Sequence, residues 1–295
     1  YGGLIEVTEK LLRDYDDLMR KVAITLGTEP VLSSKLSMTR IFNNASFENG
    51  GRLYSQIQSL EKIQRPHLYF DGEPTIEIDF GALHPNLLYH GESETFAGGD
   101  AYKINGFDRE TVKTGFNTMI NRGGKYKAKS AVKALVHYLQ IDIVRAKELE
   151  AAILELHKPI AHYFNSGYGL KLQRLDSDIA MNIIDYFVHV KQRPIIGVHD
   201  SFIVSVRDTE TLKLLMNDQY NKVFKEQNDA VFDAIDWNSV VEVDGVVGLD
   251  AIKATSLDFS KELEAAIARC FEGNTDGMDD KFWDDLVSAE PVQAM

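Results

Sequence analysis

The sequence predicts an α+β fold in which an antiparallel sheet carries helices on one face. Three observations predict it. A hairpin signal comes early: His67-Leu68-Tyr69-Phe70, a turn at Asp71-Gly72, then a strand from Thr75 to Phe80. Residues 108–192 then keep mostly helical spacing. After Pro194, two β-branched runs flank His199-Asp200 and read as a second strand pair. Strand pair, helical insertion and strand pair in that order bring distant segments into one sheet.

The elements follow in order. Residues 5–26 read as an amphipathic helix on Leu11, Leu12, Tyr15, Leu18, Met19, Val22 and Leu26, with Gly27 as its stop. Residues 28–66 read as irregular, and 91–107 as a Gly-rich loop. One helix starts near Asp108 and breaks at Gly123-Gly124, and another runs from about Ser130 to Phe164. A third starts at Asp176 and carries Ile179, Ala180, Ile183, Ile184 and Phe187 on one face. Asp208 reads as the cap of a helix burying Leu212, Leu215, Met216, Val223 and Phe224. Val240–Val247 reads as one more hairpin, and Ser260–Phe271 as a short helix.

Composition sets the bounds. A chain of 295 residues, 44% hydrophobic and 26% charged, suffices for one large or two modest cores. No apolar run reaches the roughly 18 residues of a membrane helix, so no membrane partner is expected. Cys270 is the sole cysteine, which excludes a disulfide framework and a cysteine metal cluster and fits a reducing compartment. The net charge of −13 argues against a general nucleic-acid coat protein. That charge is uneven: residues 101–135 carry a net +6 and residues 271–295 a net −6. The basic stretch reads as a solvated helix face or as a phosphate-facing one. The tail sets Phe282 and Trp283 among aspartates, and reads as disordered or as a partner-binding peptide that folds on docking.

The chemistry rests on two carboxylates 121 positions apart, Asp79 and Asp200, each at the end of a β-branched run. An Asp at a strand end is often a turn or cap residue. Two of them with Arg109 and Lys113 between, one helical turn apart, suggest phosphoryl transfer. Carboxylates supply the hard oxygen that divalent ions need, and the cationic pair suits phosphates.

These residues bring the chain close to a known family. It resembles the core of family A DNA polymerases and their single-subunit phage-type RNA polymerase relatives over roughly residues 38–225. Four motifs appear in the family's order. Arg40-Ile41-Phe42 followed by Gly50-Gly51-Arg52-Leu53-Tyr54-Ser55 is similar to the Thr-Gly-Arg-Leu-Ser-Ser segment. Ile78-Asp79-Phe80 is similar to motif A, Arg109-x3-Lys113-x2-Phe116-Asn117 to motif B, and Val198-His199-Asp200-Ser201 to motif C.

The resemblance implies a polymerase palm carrying Asp79 and Asp200, a helical fingers insertion, and a reduced or absent thumb. The implied segments are 1–37 (N-terminal helix, a thumb remnant), 38–107 (palm, motif A), 108–174 (fingers, motif B), 175–270 (palm, motif C) and 271–295 (acidic tail). It implies two Mg²⁺, replaceable by Mn²⁺, on Asp79, Asp200 and the Phe80 carbonyl. It implies nucleoside triphosphates on Arg109, Lys113, Asn117, His84 and Asn121, and primer–template nucleic acid on Arg52, His199 and Arg40. The implied setting is the cytoplasm of a bacterial or phage-infected cell, with an organelle as the alternative.

The sequence also departs from the pattern. His84, Asn121 and Arg122 stand where the family's DNA enzymes carry Glu, Tyr and Gly beside the sugar. His84 reads as a sugar gate, a base-stacking group or a core histidine, and Asn86 and Tyr89 as pocket supports or packing. Asp79-Phe80-x2-Leu83-His84-Pro85 also resembles a family B pattern, and Ser201 matches the phage RNA enzymes. The leading expectation is a DNA-directed DNA polymerase. The alternatives are an RNA polymerase or primase, a catalytically silent nucleic-acid-binding or recruitment module, and a metal-dependent nuclease.

Overall fold

The computed structural model describes residues 2–123 and 131–224 and the strand 241–244. They form two compact units. One holds residues 2–81, 174–224 and 241–244; the other holds 82–123 and 131–173. Residues 82–107, expected with the first sheet segment, therefore cluster with the helices, and residues 2–37 cluster with the sheet.

The first unit is α+β with an antiparallel sheet. Its strands are β1 (Ile24–Leu26), β2 (Glu29–Pro30), β3 (Thr39–Phe42), β4 (Gly50–Tyr54), β5 (Leu68–Phe70), β6 (Glu73–Phe80), β7 (Ile195–Val198), β8 (Ser201–Ser205) and β9 (Val241–Asp244). The sheet order is β2-β1-β5-β6-β8-β7, with β9 also on β6 and β3-β4 a separate hairpin. The long strand β6 organises it. One edge pairs Thr75–Asp79 with β8, and the other pairs first with β5 and then, from Glu77 to Phe80, with β9.

Alternation explains the two faces of β6. Ile76, Ile78 and Phe80 are buried while Glu77 and Asp79 are half-buried on the other face. The preceding turn has Asp71 at φ +52° and Gly72 at φ +79°, the mirror-image turn that Asp-Gly favours. Asp71 also accepts a hydrogen bond from the Ala23 amide at 2.8 Å, tying β1 to the hairpin.

Helices α1 (Gly2–Met19), α6 (Gly169–Asp185) and α7 (Thr209–Phe224) supply much of this unit's core, with α2–α5 assigned below. Tyr15, Met19, Ile183, Ile184, Met216 and Tyr220 are buried with Ile78, Phe202 and Val204. The helix expected over 5–26 ends at Met19, because the β-branched run Ile24-Thr25 pairs with β5 instead. Residues 28–66, expected to be irregular, contain the β3–β4 hairpin.

The second unit is helical: α2 (Leu83–Gly91), α3 (Arg109–Asn121), α4 (Val132–Leu139) and α5 (Ile143–Leu156), then a 3-10 turn over Lys158–Tyr163. The single helix expected over 130–164 is thus split. Gln140 adopts φ +51°, Asp142 caps α5 through its side chain, and Pro159 forces the tighter turn. Helix α3 packs closely on α5, since a Cβ on Gly115 would lie 2.9 Å from Ile153 Cδ1.

His157 sits at the centre of this unit, fully buried. Its Nε2 donates to the Ala101 carbonyl at 2.9 Å, which leaves Nδ1 to accept from the Tyr89 hydroxyl at 3.2 Å. Burial pushes its pKa down to about 4. The neutral ring is therefore the folded form. Between the unfolded value of 6.5 and about 4 the unfolded chain binds the extra proton, so stability present above pH 6.5 is lost as pH falls. Wild type should lose about 3 kcal/mol more than His157→Gln between pH 7 and pH 4, measured by urea unfolding. An equal loss in both would remove His157 as the cause.

Among the described residues no helix is long and apolar enough to cross a membrane. The Ser260–Phe271 helix, the Phe282/Trp283 tail and the second half of the Val240–Val247 hairpin lie outside the described residues.

Candidate functional site

Strand register brings Asp79 and Asp200 to neighbouring strand ends. Asp79 stands opposite Ser201, the first residue of β8, and Asp200 is the residue before it. The Phe80 amide donates to the Asp200 carbonyl in a long contact of 3.4 Å. Both aspartates are half-buried. The β7–β8 connection is only His199 and Asp200.

The turn places His199 at φ +59°, a left-handed backbone conformation that is uncommon outside glycine but that histidine adopts more readily than most residues. Its ring meets Tyr54 edge-on at 5.5 Å. Its Nδ1 is buried and takes no hydrogen bond among the described residues. Burial, joined by the positive charge of Arg52, pushes its pKa down to about 4 against the opposing pull of Asp200 and Asp176.

Polar bonds hold the turn from below. Ser201 Oγ donates to Glu77 Oε1 at 2.6 Å, and Arg65 Nη1 donates to the same oxygen at 2.7 Å. Gln58 Nε2 donates to the carbonyls of Leu53 and Gly197 at 3.0 and 2.9 Å, pinning β4 to β7.

The two arginines expected on nucleic acid are built into the framework. Arg40 has a side chain only 3% exposed. It donates to the Gly51 carbonyl at 2.9 Å, to Thr8 and Ser177 hydroxyls at 3.2 Å, and to Asp178 at 2.9 Å. Burial pushes its pKa down to about 10. Arg40, expected at the primer, is thus placed as a strut between β3, β4, α1 and α6. Arg52 is more open, and its Nε lies 3.2 Å from both oxygens of Asp176 while Nη2 also donates to Oδ2. Burial works against its charge, but Asp176, then Asp200 and Tyr54, hold the guanidinium above the ordinary arginine range.

Sequence reasoning took Asp176 only as the start of a helix. It falls on the same stripe as Ile179, Ala180, Ile183 and Phe187, three, four, seven and eleven positions on. A carboxylate in line with an apolar face is the signal of a buried, partnered charge. Glu77 and Arg65, which support Ser201, left no such signal.

The remaining expected residues lie in the helical unit. Arg109, Lys113, Asn117 and Asn121 recur every four positions along α3, so they share a face. Asp108 caps this helix, accepting from the Thr111 amide at 2.8 Å. Arg109 bonds Asp100 at 2.7 Å and lies 5.3 Å over the Tyr102 ring, while Lys113 is exposed. Asn121 Nδ2 donates back to the Asn117 carbonyl at 2.9 Å. His84, the second residue of α2, is half-buried.

Asp79, Asp200 and the Phe80 carbonyl are hard oxygen donors that suit Mg²⁺ or Mn²⁺. Among the described residues no group of three or more His, Cys, Asp or Glu forms a metal cage. Mg²⁺ commonly takes one or two carboxylates and completes its shell with water and substrate phosphate, so this donor set fits it. No protein-family model and no curated protein matches this sequence.

Proposed function

We propose that this chain is a template-dependent nucleic-acid polymerase, a nucleotidyltransferase with a palm-type sheet. The observation that carries the reading is the β6–β8 register, which sets Asp79 beside the His199-Asp200 turn. In this reading Asp79, Asp200 and the Phe80 carbonyl hold two Mg²⁺. Bound there, the ions would acidify a 3′-hydroxyl and offset the charge of a leaving pyrophosphate.

The chain's own residues bind and orient. Arg109 and Lys113 hold the triphosphate, Arg as a fork and Lys as a point charge. Asn117, Asn121 and His84 line the nucleotide side, and Arg52 and His199 the primer end. The 3′-oxygen bonds to the α-phosphorus as the bridging bond to the β-phosphate breaks, with the reactants held in line. DNA is the leading product, with RNA the alternative that Ser201 favours.

The test is a labelled primer on a template, with Mg²⁺ and all four nucleotides of each sugar type. Template-directed lengthening supports the reading, and the preferred sugar assigns the polymer. No lengthening with either sugar on DNA or RNA templates overturns it. Shortening of the strand without nucleotide would mark a nuclease instead. In the same assay Lys113→Ala should cost about 2 kcal/mol, roughly 30-fold in kcat/KM for nucleotide. An unchanged kcat/KM would remove Lys113 from the triphosphate.

A further inference from the structure

His189 joins two distant parts of the first unit. It lies on the π-helical turn Tyr186–Lys191, which continues α6. Its Nδ1 lies 2.8 Å from Oδ1 of Asp185, the last residue of α6, and its Nε2 lies 2.8 Å from Oδ2 of Asp14 on α1, 175 positions earlier. An ionised carboxylate only accepts, so both ring nitrogens must carry hydrogen for both contacts to bond. Neutral imidazole carries hydrogen on one of them. The ring in this geometry is therefore the imidazolium. Asp14 first, and Asp185 with it, raise its pKa from the ordinary 6.5 against partial burial and the charge of Lys10.

The surroundings decide which contact lapses when that proton leaves. Lys10 Nζ donates to the same Asp14 oxygen at 2.6 Å, so Asp14 keeps a cation. Asp185 has no other side-chain partner among the described residues. The remaining N–H therefore stays on Asp185, and the bare nitrogen faces Asp14, so the long-range half of the link is lost. Asp17, further along α1, pairs with Arg20, and Lys191, on the same turn as the ring, reaches Asp208 and Thr211. Helix α1 otherwise rests on buried Leu11, Tyr15 and Met19 and on the Thr8 hydroxyl that Arg40 reaches. Burial keeps the Tyr15 hydroxyl neutral, and Arg40 stays charged below about 10, so among these contacts the ring is the group that titrates near neutrality.

We propose that His189 is a pH-sensitive latch: as the imidazolium it fastens α1 to the end of α6, and on losing its proton it frees α1 from that tie while the buried contacts keep the helix in place. The latch owes nothing to the metal reading of Asp79 and Asp200. Its contribution is full below the unfolded value of 6.5 and is lost as pH rises through the raised folded value.

Amide hydrogen exchange of residues 8–19 of α1, expressed as protection factors between pH 6 and pH 9, reads the latch in the full chain. Wild type should be about fivefold better protected than His189→Gln at pH 6, the scale of one partly exposed ion pair, and within about 1.5-fold of it at pH 9. Asp14→Ala should lose protection to a similar extent, and the double variant should stay within about twofold of the larger single loss. Nuclear magnetic resonance of the His189 ring should show a wild-type pKa above 6.5 that drops in Asp14→Ala. A wild-type advantage that is constant or grows with pH, a double variant losing the product of the two single effects, or a wild-type His189 pKa at or below 6.5 overturns the proposal. If either single variant fails to fold, wild type decides: protection of α1 falling at the pH where the ring titrates sustains the latch, and protection unchanged through that pH overturns it.

Discussion

If the proposed polymerase reading holds, Asp79→Asn and Asp200→Asn should each abolish primer extension, by at least about a thousandfold or roughly 4 kcal/mol in the barrier, with the chain expected to stay folded. The amide keeps the shape of the carboxylate and loses the charge that would hold a divalent ion. The fold survives because the sheet at this point is held by main-chain pairing, Asp79 to Ser201 and Asp79 to Glu242, on both edges of β6. Melting temperatures within about 4 °C of wild type are expected, the shift that roughly 1 kcal/mol produces in a domain of this size. Single-turnover extension beside a thermal melt measures both quantities. Activity within tenfold of wild type in either variant would remove that aspartate from the chemistry.

Phe116→Ala should destabilise the helical unit by about 4 kcal/mol, since deletion of a buried aromatic removes both transfer energy and packing. Phe116 is fully buried in α3, with ring centroids 5.0 Å from Phe164, 5.1 Å from His157 and 5.7 Å from Tyr102. These partners come from the loop before α3 and the segment after α5, so one ring fixes three stretches of chain. It lies three residues from Lys113, and loosening it frees the helix that carries Arg109 and Lys113. Amide hydrogen exchange of residues 109–121, or urea unfolding followed in that unit, reads the effect. A loss under about 1 kcal/mol would show that other contacts hold α3.

Much of the first unit was legible because its signals are local. Alternation placed β6, Asp-Gly placed its turn, and Pro194 with two β-branched runs placed β7 and β8. The stripe on α6 was equally plain, as was, in the second unit, the start of a helix near Asp108. Where reading failed, a tertiary partner decided. Ile24-Thr25-Leu26 suits a helix or a strand, and β5 made it a strand. The β3–β4 hairpin carries few β-branched residues and relies on Gly50 and Gly51 at positive φ and on Arg40 beneath. Helix α2 was hidden by Pro85, which its first turn tolerates.

The sequence by itself determined the candidate groups: two strand-end aspartates, a basic pair one turn apart, a His-Asp turn and the arginines near residue 50. Side-chain type and short-range periodicity suffice for that, because both act within a few residues. Only the tertiary structure decided which charges are spent. It buried Arg40 in a strut, clasped Arg52 to Asp176, and left Asp200 outside that ion pair. A charge is spent or kept according to the carboxylate that long-range packing brings within a few ångströms and shields from water, and no spacing in the chain encodes that distance.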